Sequence, residues 1–296
     1  MKRFCLLFAI CFAVFASYAQ ESVGNSVEKN AVEEPVEMRP ITLNASLMFG
    51  TNIVANHYIG AMEYTGMAHG VHLDFGRFYN RWKNVSWNVA YDYKSSFETV
   101  GGLENVAKTA SVSCTSWNVN YSSFYNWSFG DALKLKAGIG ADVYVDFIEA
   151  LTNKTNNAAS VNILTQLEAS AGISYVFRFD KWKLGLNGQV TIPFAGLVFT
   201  DSKHESGIGS IFHDALMDSY GSHLKGTSFS NLQGFDVDLG VKFIMKRVAI
   251  GVGLAGDNRW WYVNDIQNYR TSIMFKIGAS FDLVSLKQTK TINRYF

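Results

Sequence analysis

One pattern constrains this chain more than any other: from Ile41 onward, apolar residues recur at every second position in about ten separate runs. The segment VSWNVAYDY, which begins at Val85, is a representative run. Successive side chains of a β-strand point to opposite sides, so this alternation predicts strands with one apolar face. A helical period of 3.6 would mix the two sets of residues. The sequence therefore predicts an all-β chain of about ten antiparallel strands, with eight and twelve as alternatives.

The positions between the apolar residues carry polar side chains or glycine. Ten of these polar residues are predicted to line the interior of a closed barrel: Asp92, Lys94, Lys134, Lys136, Asp142, Asp146, Glu168, Gln189, Asp238 and Lys242. Buried charges need partners, and mixed signs favour a closed or very narrow lumen over an ion-selective ring. Both signs occur together along the strands: Asp92 with Lys94, Asp142 and Asp146 with Lys134 and Lys136, and Asp238 with Lys242.

The lengths of the connections distinguish a membrane barrel from a soluble sandwich or a lipocalin-like barrel, either of which could also bury an apolar face. Long links are predicted at 51–66, 95–109, 151–160, 201–233 and 255–268, and short ones at 80–83, 129–131, 179–181 and 246–247. Outer-membrane barrels alternate tight periplasmic turns with long external loops. The pattern therefore predicts a single closed antiparallel transmembrane β-barrel, with its apolar face toward lipid and a polar lumen.

Four segments are predicted along the chain. Residues 1–19 read as a signal peptide, because Lys2 and Arg3 precede an apolar stretch that ends in small residues. Residues 20–40 form an acidic, disordered periplasmic leader, 41–283 the barrel and 284–296 a C-terminal periplasmic tail. Cleavage after Ala19 would remove two of the three cysteines and leave Cys114, which cannot form an internal disulfide.

Composition excludes two classes of protein. The chain has 26 basic and 25 acidic residues, so charge gives no support for nucleic-acid binding. Only 17% of its residues are charged while 15% are aromatic, which argues against a mostly disordered chain. No cofactor or metal is predicted. The expected partners are the lipid bilayer and lipopolysaccharide of a Gram-negative outer membrane, and the oligomeric state is not determined by the sequence.

Two resemblances follow from particular segments. The stretch KIGASFDL from Lys276 to Leu283 resembles the last-strand signal that the β-barrel assembly machinery reads during insertion. The segments MEYTG at Met62 and IPFAGL at Ile192, with the long link that follows, resemble a Bacteroidota outer-membrane β-barrel family of unknown function. That resemblance implies a barrel in the cell outer membrane. It implies no activity and no catalytic residues.

Two functions from different classes are predicted. The first is an integral outer-membrane protein that is structural or a narrow, porin-like conduit for small solutes. The alternative is an outer-membrane hydrolase, a protease or lipid acyl hydrolase, that uses His and Asp residues of the 201–233 loop. The residues available there are His204, Ser210, His213, Asp214, Asp218 and His223, with Asp201, His204 and Glu205 as weak metal ligands. No nucleophile motif surrounds them. Residues 208–216 have the apolar spacing of a short helix that would cap the barrel mouth.

Overall fold

The computed structural model describes residues 41–79, 84–96, 102–152, 159–180, 182–200, 223–245 and 248–283. The described residues form twelve strands: β1 (Ile41–Asn56), β2 (Gly60–Phe78), β3 (Val85–Ser96), β4 (Leu103–Asn105), β5 (Ser111–Phe129), β6 (Leu133–Ala150), β7 (Ala159–Arg178), β8 (Lys183–Phe199), β9 (Leu224–Ser228), β10 (Leu232–Met245), β11 (Val248–Val263) and β12 (Ile266–Leu283). The predicted signal peptide, leader and tail lie outside these residues, as do residues 201–222. Nowhere in the described ranges is there a helix long and apolar enough to cross a bilayer.

Ten of the strands form a closed antiparallel barrel. Each pairs with its neighbour in the order β1, β2, β3, β5, β6, β7, β8, β10, β11 and β12. The barrel closes because β12 also pairs with β1, from Ile41 opposite Leu283 to Asn56 opposite Asn268. The short strand β4 pairs with β2 and β5, and β9 pairs with β8. The prediction of an all-β barrel of about ten antiparallel strands is confirmed.

The alternation in the sequence matches the two faces of the barrel wall. Apolar side chains on the outer face are exposed, for example Leu47 at 53%, Ile139 at 69% and Ile273 at 61%. Inward-facing polar side chains are buried, with Asp142 at 0%. Exposed apolar surface on this scale marks contact with lipid, because a soluble protein would bury it. The predicted sidedness, apolar outside and polar inside, is therefore confirmed.

Two of the predicted long connections are wrong, because the strands continue through them. The β1–β2 link is the turn at residues 57–59, and the β11–β12 link is only Asn264 and Asp265. Both residues of the second turn have positive φ, 54° and 58°. A two-residue turn with this geometry is of type I′, whose twist matches that of paired strands, and Asn and Asp tolerate it. The paired strands of these hairpins satisfy the backbone N–H and C=O groups at this end of the barrel, so no long loop is needed there.

Strand β8 accommodates a proline near its middle. Pro193 lies opposite Glu168 at an irregularity in the β7–β8 register. On its other side β8 pairs with β10 only up to Thr191 and with β9 only from Ala195. Proline lacks an N–H, so it is tolerated where a ladder is interrupted. The interruption thus lies at the level of Glu168, inside the barrel.

Candidate functional site

The barrel interior has three levels, each built from inward-facing side chains. All ten predicted lumen residues lie on this inner face. The end of the barrel with the β2–β3, β5–β6, β7–β8 and β10–β11 connections is called the tight-turn end. Lys134, Lys136 and Lys242 line a cavity near it, and Asp92, Lys94 and Glu168 line a second cavity above the first. Gln189 and Asp238 line both cavities, and Asp142 and Asp146 are buried farther up. The interior is thus polar and wide at one end, and it narrows toward the end that bears the β6–β7 and β8–β10 connections.

A charged layer crosses the middle of the barrel; its members are Lys94, Asp142, Asp146, Asp236, Asp257, Arg259 and Arg270. The guanidinium of Arg270, on β12, donates to the carboxylate of Asp146, on β6. Four barrel strands separate β12 from β6 in either direction, so this ion pair spans the full width of the lumen. Both side chains are 1% exposed. The pair therefore crosses the lumen at this level.

Arg259 makes the second bridge of the charged layer. Its Nη2 donates to Oδ2 of Asp236 at 3.0 Å and lies 3.4 Å from Oδ2 of Asp142. The guanidinium carbons of Arg259 and Arg270 lie 4.5 and 5.6 Å from the ring centroid of Tyr144. The negative face of an aromatic ring attracts cations, and more strongly where water is excluded. Tyr144 therefore holds the two arginines together at the centre of the lumen.

Lys94 completes the charged layer from the opposite wall. Its ammonium donates to the carboxylate of Asp257 and, at 3.1 Å, to the hydroxyl of Ser272. Ser272 also donates to Asp257. Lys94 lies on β3 and Asp257 on β11, and three barrel strands separate them, so this contact again crosses the interior.

The interior contains paired charges of both signs, and the structure shows which residues pair. Asp92 pairs with His72 at 2.7 Å, and Asp238 accepts from Lys276. Asp142 and Lys136 cannot meet, because six residues along a strand span about 20 Å. The sequence reasoning missed Arg259, since it placed residues 255–268 in a loop, and it did not consider Arg270. The alternating GDNRWWYV that ends β11 is the signal that could have found Arg259.

Above the charged layer the interior contains buried apolar side chains, which we call the apolar cap. It consists of two buried clusters: Val54, Tyr64, Leu103, Val112, Cys114 and Ile148, and Tyr144, Leu164, Val198, Leu232, Trp261 and Val263. Leu103 belongs to the short strand β4 and is 0% exposed, and Trp261 is 1% exposed. Nearby, Nδ2 of Asn56 donates to Ser160 at 2.9 Å across the barrel. The cap therefore fills the lumen at the end of the long connections.

Below the charged layer is a cavity that we call the vestibule. It reaches the tight-turn end, because its lining includes Lys134, the second residue of β6, and Phe78, the last of β2. Its space not occupied by atoms is about 1290 Å³, including the part open to solvent. The second, smaller cavity of about 710 Å³ lies between the vestibule and the charged layer and shares His72 and Lys276 with the vestibule. The vestibule is thus a cavity that connects to solvent at the tight-turn end.

Most residues of the predicted hydrolase site lie outside the described ranges. The loop residues His204, Ser210, His213, Asp214, Asp218, Asp201 and Glu205, and the predicted helix at 208–216, lie outside them. His223 is described; it is buried, and its Nδ1 lies 3.2 Å from the carbonyl oxygen of Thr200. Within the described ranges, no three His, Cys, Asp or Glu side chains are grouped to hold a metal ion.

Comparison with known proteins gives a family and several solved barrels. Residues 4–290 match the family described as "Protein of unknown function (DUF3316)". No curated protein matches the sequence. The outer membrane protease OmpT of Escherichia coli is 7% identical, with a TM-score of 0.42 over 86% of this chain and 99% of that one. Ail, the attachment invasion locus protein of Yersinia pestis, is 9% identical, with a TM-score of 0.34 over 82% of this chain and 100% of that one. An outer membrane channel of Pseudomonas putida F1 is 8% identical, with a TM-score of 0.38 over 86% of this chain and 99% of that one.

Proposed function

This chain belongs to the DUF3316 family, and we propose that it is an integral outer-membrane barrel that does not conduct solutes but holds a small polar molecule in the vestibule. One observation carries this proposal: the Arg270–Asp146 ion pair joins opposite walls of the lumen. With the charged layer and the apolar cap above it, the vestibule is a blind cavity. A binding or structural role therefore fits the geometry better than a narrow conduit does.

The orientation in the membrane follows from the connections. Tight turns of outer-membrane barrels face the periplasm, so the vestibule would open toward the periplasm and the cap would face outward. Aromatic rings gather on the outer face near the tight turns, among them the stacked pair Phe179 and Trp182, with centroids 4.0 Å apart, and the neighbouring Phe243. Aromatic side chains favour the interfacial layer of a bilayer. We place the barrel in the outer membrane of a Gram-negative cell, facing lipopolysaccharide and inserted by the assembly machinery.

The charges of the lumen support a closed state. Asp142, Asp146, Arg259 and Arg270 are each at most 2% exposed. Charges removed from water are stable only when they are paired, so the loss of one partner would leave a buried charge without its counterion. A conduit would require water to pass between them. Small barrels are commonly filled by their own side chains in this way.

Conductance in planar bilayers tests the proposal. The purified, folded barrel should give no steady single-channel current above the lipid baseline. Heat-modifiable migration on gels, flotation with liposomes and recovery in the outer-membrane fraction show on the same preparation that the protein is folded and inserted. A stable current from inserted wild-type barrels would contradict the closed state, and recovery in the soluble periplasmic fraction would contradict the membrane location.

A further inference from the structure

The β11–β12 hairpin carries a polar and aromatic surface on the outer side of the barrel wall. Trp261 and Arg270 are each 1% exposed inside the lumen. Successive side chains of a strand point to opposite sides, so their neighbours Trp260 and Tyr269 face outward. We call six outward side chains of this hairpin the hairpin face: Asn258, Trp260, Tyr262, Gln267, Tyr269 and Thr271.

Three aromatic rings lie side by side on the hairpin face. Trp260 and Tyr269 are directly opposite each other on β11 and β12, where Cβ atoms are about 4.5–5.5 Å apart. Tyr262 is the next outward residue after Trp260 and is 46% exposed. Two exposed glutamines flank the rings, because Gln267 lies opposite Tyr262 and Gln233 of β10 lies opposite Trp260. The rings thus form one surface with amide groups along its edges.

A directed chain of hydrogen bonds orients the hydroxyl of Tyr269. Nδ2 of Asn258 donates to Oγ1 of Thr271 at 2.8 Å, and this hydroxyl donates to the phenol oxygen of Tyr269 at 2.6 Å. Nδ2 of Asn258 also donates to the same phenol oxygen, at 3.3 Å. The phenol oxygen therefore accepts twice, and its own O–H is left to donate outside the chain. Since Tyr269 is partly exposed, this donor is available to a ligand.

The hairpin face lies above the part of the wall that contacts hydrocarbon. On β12 the last outward aliphatic side chain below it is Ile273, which is 61% exposed, and Tyr269 is four positions farther along. Four residues of a strand span roughly 13 Å, which is about 10 Å of height at a strand tilt of about 40°. The headgroup layer on each side of a bilayer is only about 5–7 Å thick. An aromatic belt at the bilayer interface therefore does not account for rings at this height.

The chemistry of the hairpin face suits an uncharged sugar. None of its six side chains is charged, and the charged group that contacts it is Asp265, whose Oδ1 accepts from the hydroxyl of Tyr262 at 3.0 Å. That carboxylate would repel a phosphate, and the six side chains supply no cation to bind one. A sugar ring has an apolar C–H face and an edge of hydroxyls. Aromatic rings pack against the face, while amides and hydroxyls bind the edge.

We propose that the hairpin face binds the uncharged sugar rings of glycolipid headgroups in the outer leaflet, with Trp260 and Tyr262 stacking on the rings and Tyr269 donating to their oxygens. The face is continuous with the lipid-facing wall below it, so the molecules that meet it in the membrane are lipids of the same leaflet. This inference rests on the membrane location and orientation given under the proposed function, and it adds a surface outside the vestibule.

Native mass spectrometry of the folded wild-type barrel in detergent tests the inference with three lipids of matched acyl chains: digalactosyldiacylglycerol, phosphatidylglycerol and phosphatidylcholine. The galactolipid should bind about tenfold or more tightly than either phospholipid, which is a difference of about 1.4 kcal/mol. Equal binding of the three lipids would overturn sugar recognition. Tighter binding of phosphatidylglycerol would show that the barrel selects an anionic headgroup, and it would overturn the inference as well.

Variants locate the site. The double substitution Trp260→Ala and Tyr262→Ala should weaken galactolipid binding about tenfold or more and leave phospholipid binding within about twofold. Tyr269→Phe keeps the ring and removes only the hydroxyl, so it should weaken galactolipid binding by about two- to tenfold, the equivalent of one hydrogen bond. An equal loss for all three lipids, or unchanged galactolipid binding in both folded variants, would contradict the site.

The matched control is the double substitution Tyr125→Ala and Trp127→Ala. These two rings are also two positions apart on one strand and exposed on the outer face, at 46% and 44%, but they lie near the tight-turn end. Their loss should leave galactolipid affinity within about twofold of wild type. Heat-modifiable migration on gels shows that each variant is folded. A control pair that weakens galactolipid binding as much as the hairpin pair would place the preference outside the hairpin face.

The two proposals fail in different ways. A conducting barrel, or one found outside the outer membrane, would refute the proposed function whichever lipid it binds. A folded, inserted and non-conducting barrel without a preference for the galactolipid would refute only the sugar-binding role of the hairpin face.

Discussion

Arg270 and Asp146 lie 124 positions apart in the chain, and their side chains form an ion pair that joins opposite walls of the barrel. Neither side chain is more than 1% exposed. The first prediction tests what this cross-lumen pair contributes to stability.

Arg270→Ala should destabilise the barrel by about 3–5 kcal/mol, because it leaves the carboxylate of Asp146 buried without its cation. Unfolding by urea or guanidinium in lipid or detergent measures the change. Arg178→Ala is the control, since Arg178 and Asp131 form an exposed ion pair, at 53% and 83%, whose loss costs about 0–1 kcal/mol. Equal effects of the two variants would show that the cross-lumen pair does not stabilise the fold.

Ile139→Arg tests which face of the wall meets lipid. Ile139 lies within β6 with 69% of its surface exposed on the outer face, so arginine there should cost about 2–4 kcal/mol in a bilayer. Val106→Arg, in the turn after β4, where Val106 is 91% exposed, should change stability by no more than about 0.5 kcal/mol. If both variants fold equally well in liposomes, the outer face does not meet the hydrocarbon.

Asn264→Val should destabilise the β11–β12 hairpin. Asn264 has a φ of 54°, and a β-branched residue in the left-handed region costs roughly 1–2 kcal/mol. Asn264→Gly is the matched control, because glycine adopts this conformation without steric cost. Equilibrium unfolding compares the two variants. A valine variant as stable as the glycine variant would argue against a type I′ turn at this position.

Cys114 should be unreactive in the folded barrel. It is 0% exposed in the first cluster of the apolar cap, with its Sγ 3.4 Å from Oδ1 of Asp146. A maleimide reagent should label the thiol only after denaturation, whereas a Val106→Cys variant should be labelled at its exposed position in the folded state. Rapid labelling of folded wild-type protein would show that the cap admits solvent.

The same reagent counts the cysteines of the mature protein. If the signal peptide is removed after Ala19, the denatured protein from the membrane carries one thiol, since Cys5 and Cys11 leave with the signal. Mass spectrometry after labelling measures the number. Three labelled cysteines would contradict cleavage.

Strand β6 shows how much of the fold could be predicted from the sequence. Its alternation from Leu133 to Phe147 places apolar side chains outside and polar ones inside, and the structure has this arrangement. The same reasoning failed in 51–66 and 255–268, where turn residues and charges suggested loops. There the strands continue beyond the part of the barrel that faces lipid. Backbone pairing rather than contact with lipid stabilises them, so the alternation of apolar residues in the sequence is weaker.

The sequence by itself determined that this chain forms strands with one apolar face, because a side-chain period of two is a local property of the backbone. It also determined that the interior would contain charges of both signs. The partners of those charges depended on closure of the barrel, which brings β12 to β6 and β11 to β3 across the lumen. Residues so distant in the chain have no local pattern in common. Only the tertiary structure could therefore decide that Arg259 and Arg270 reach acids across the lumen, that both contact Tyr144, and that the lysines line a cavity below them.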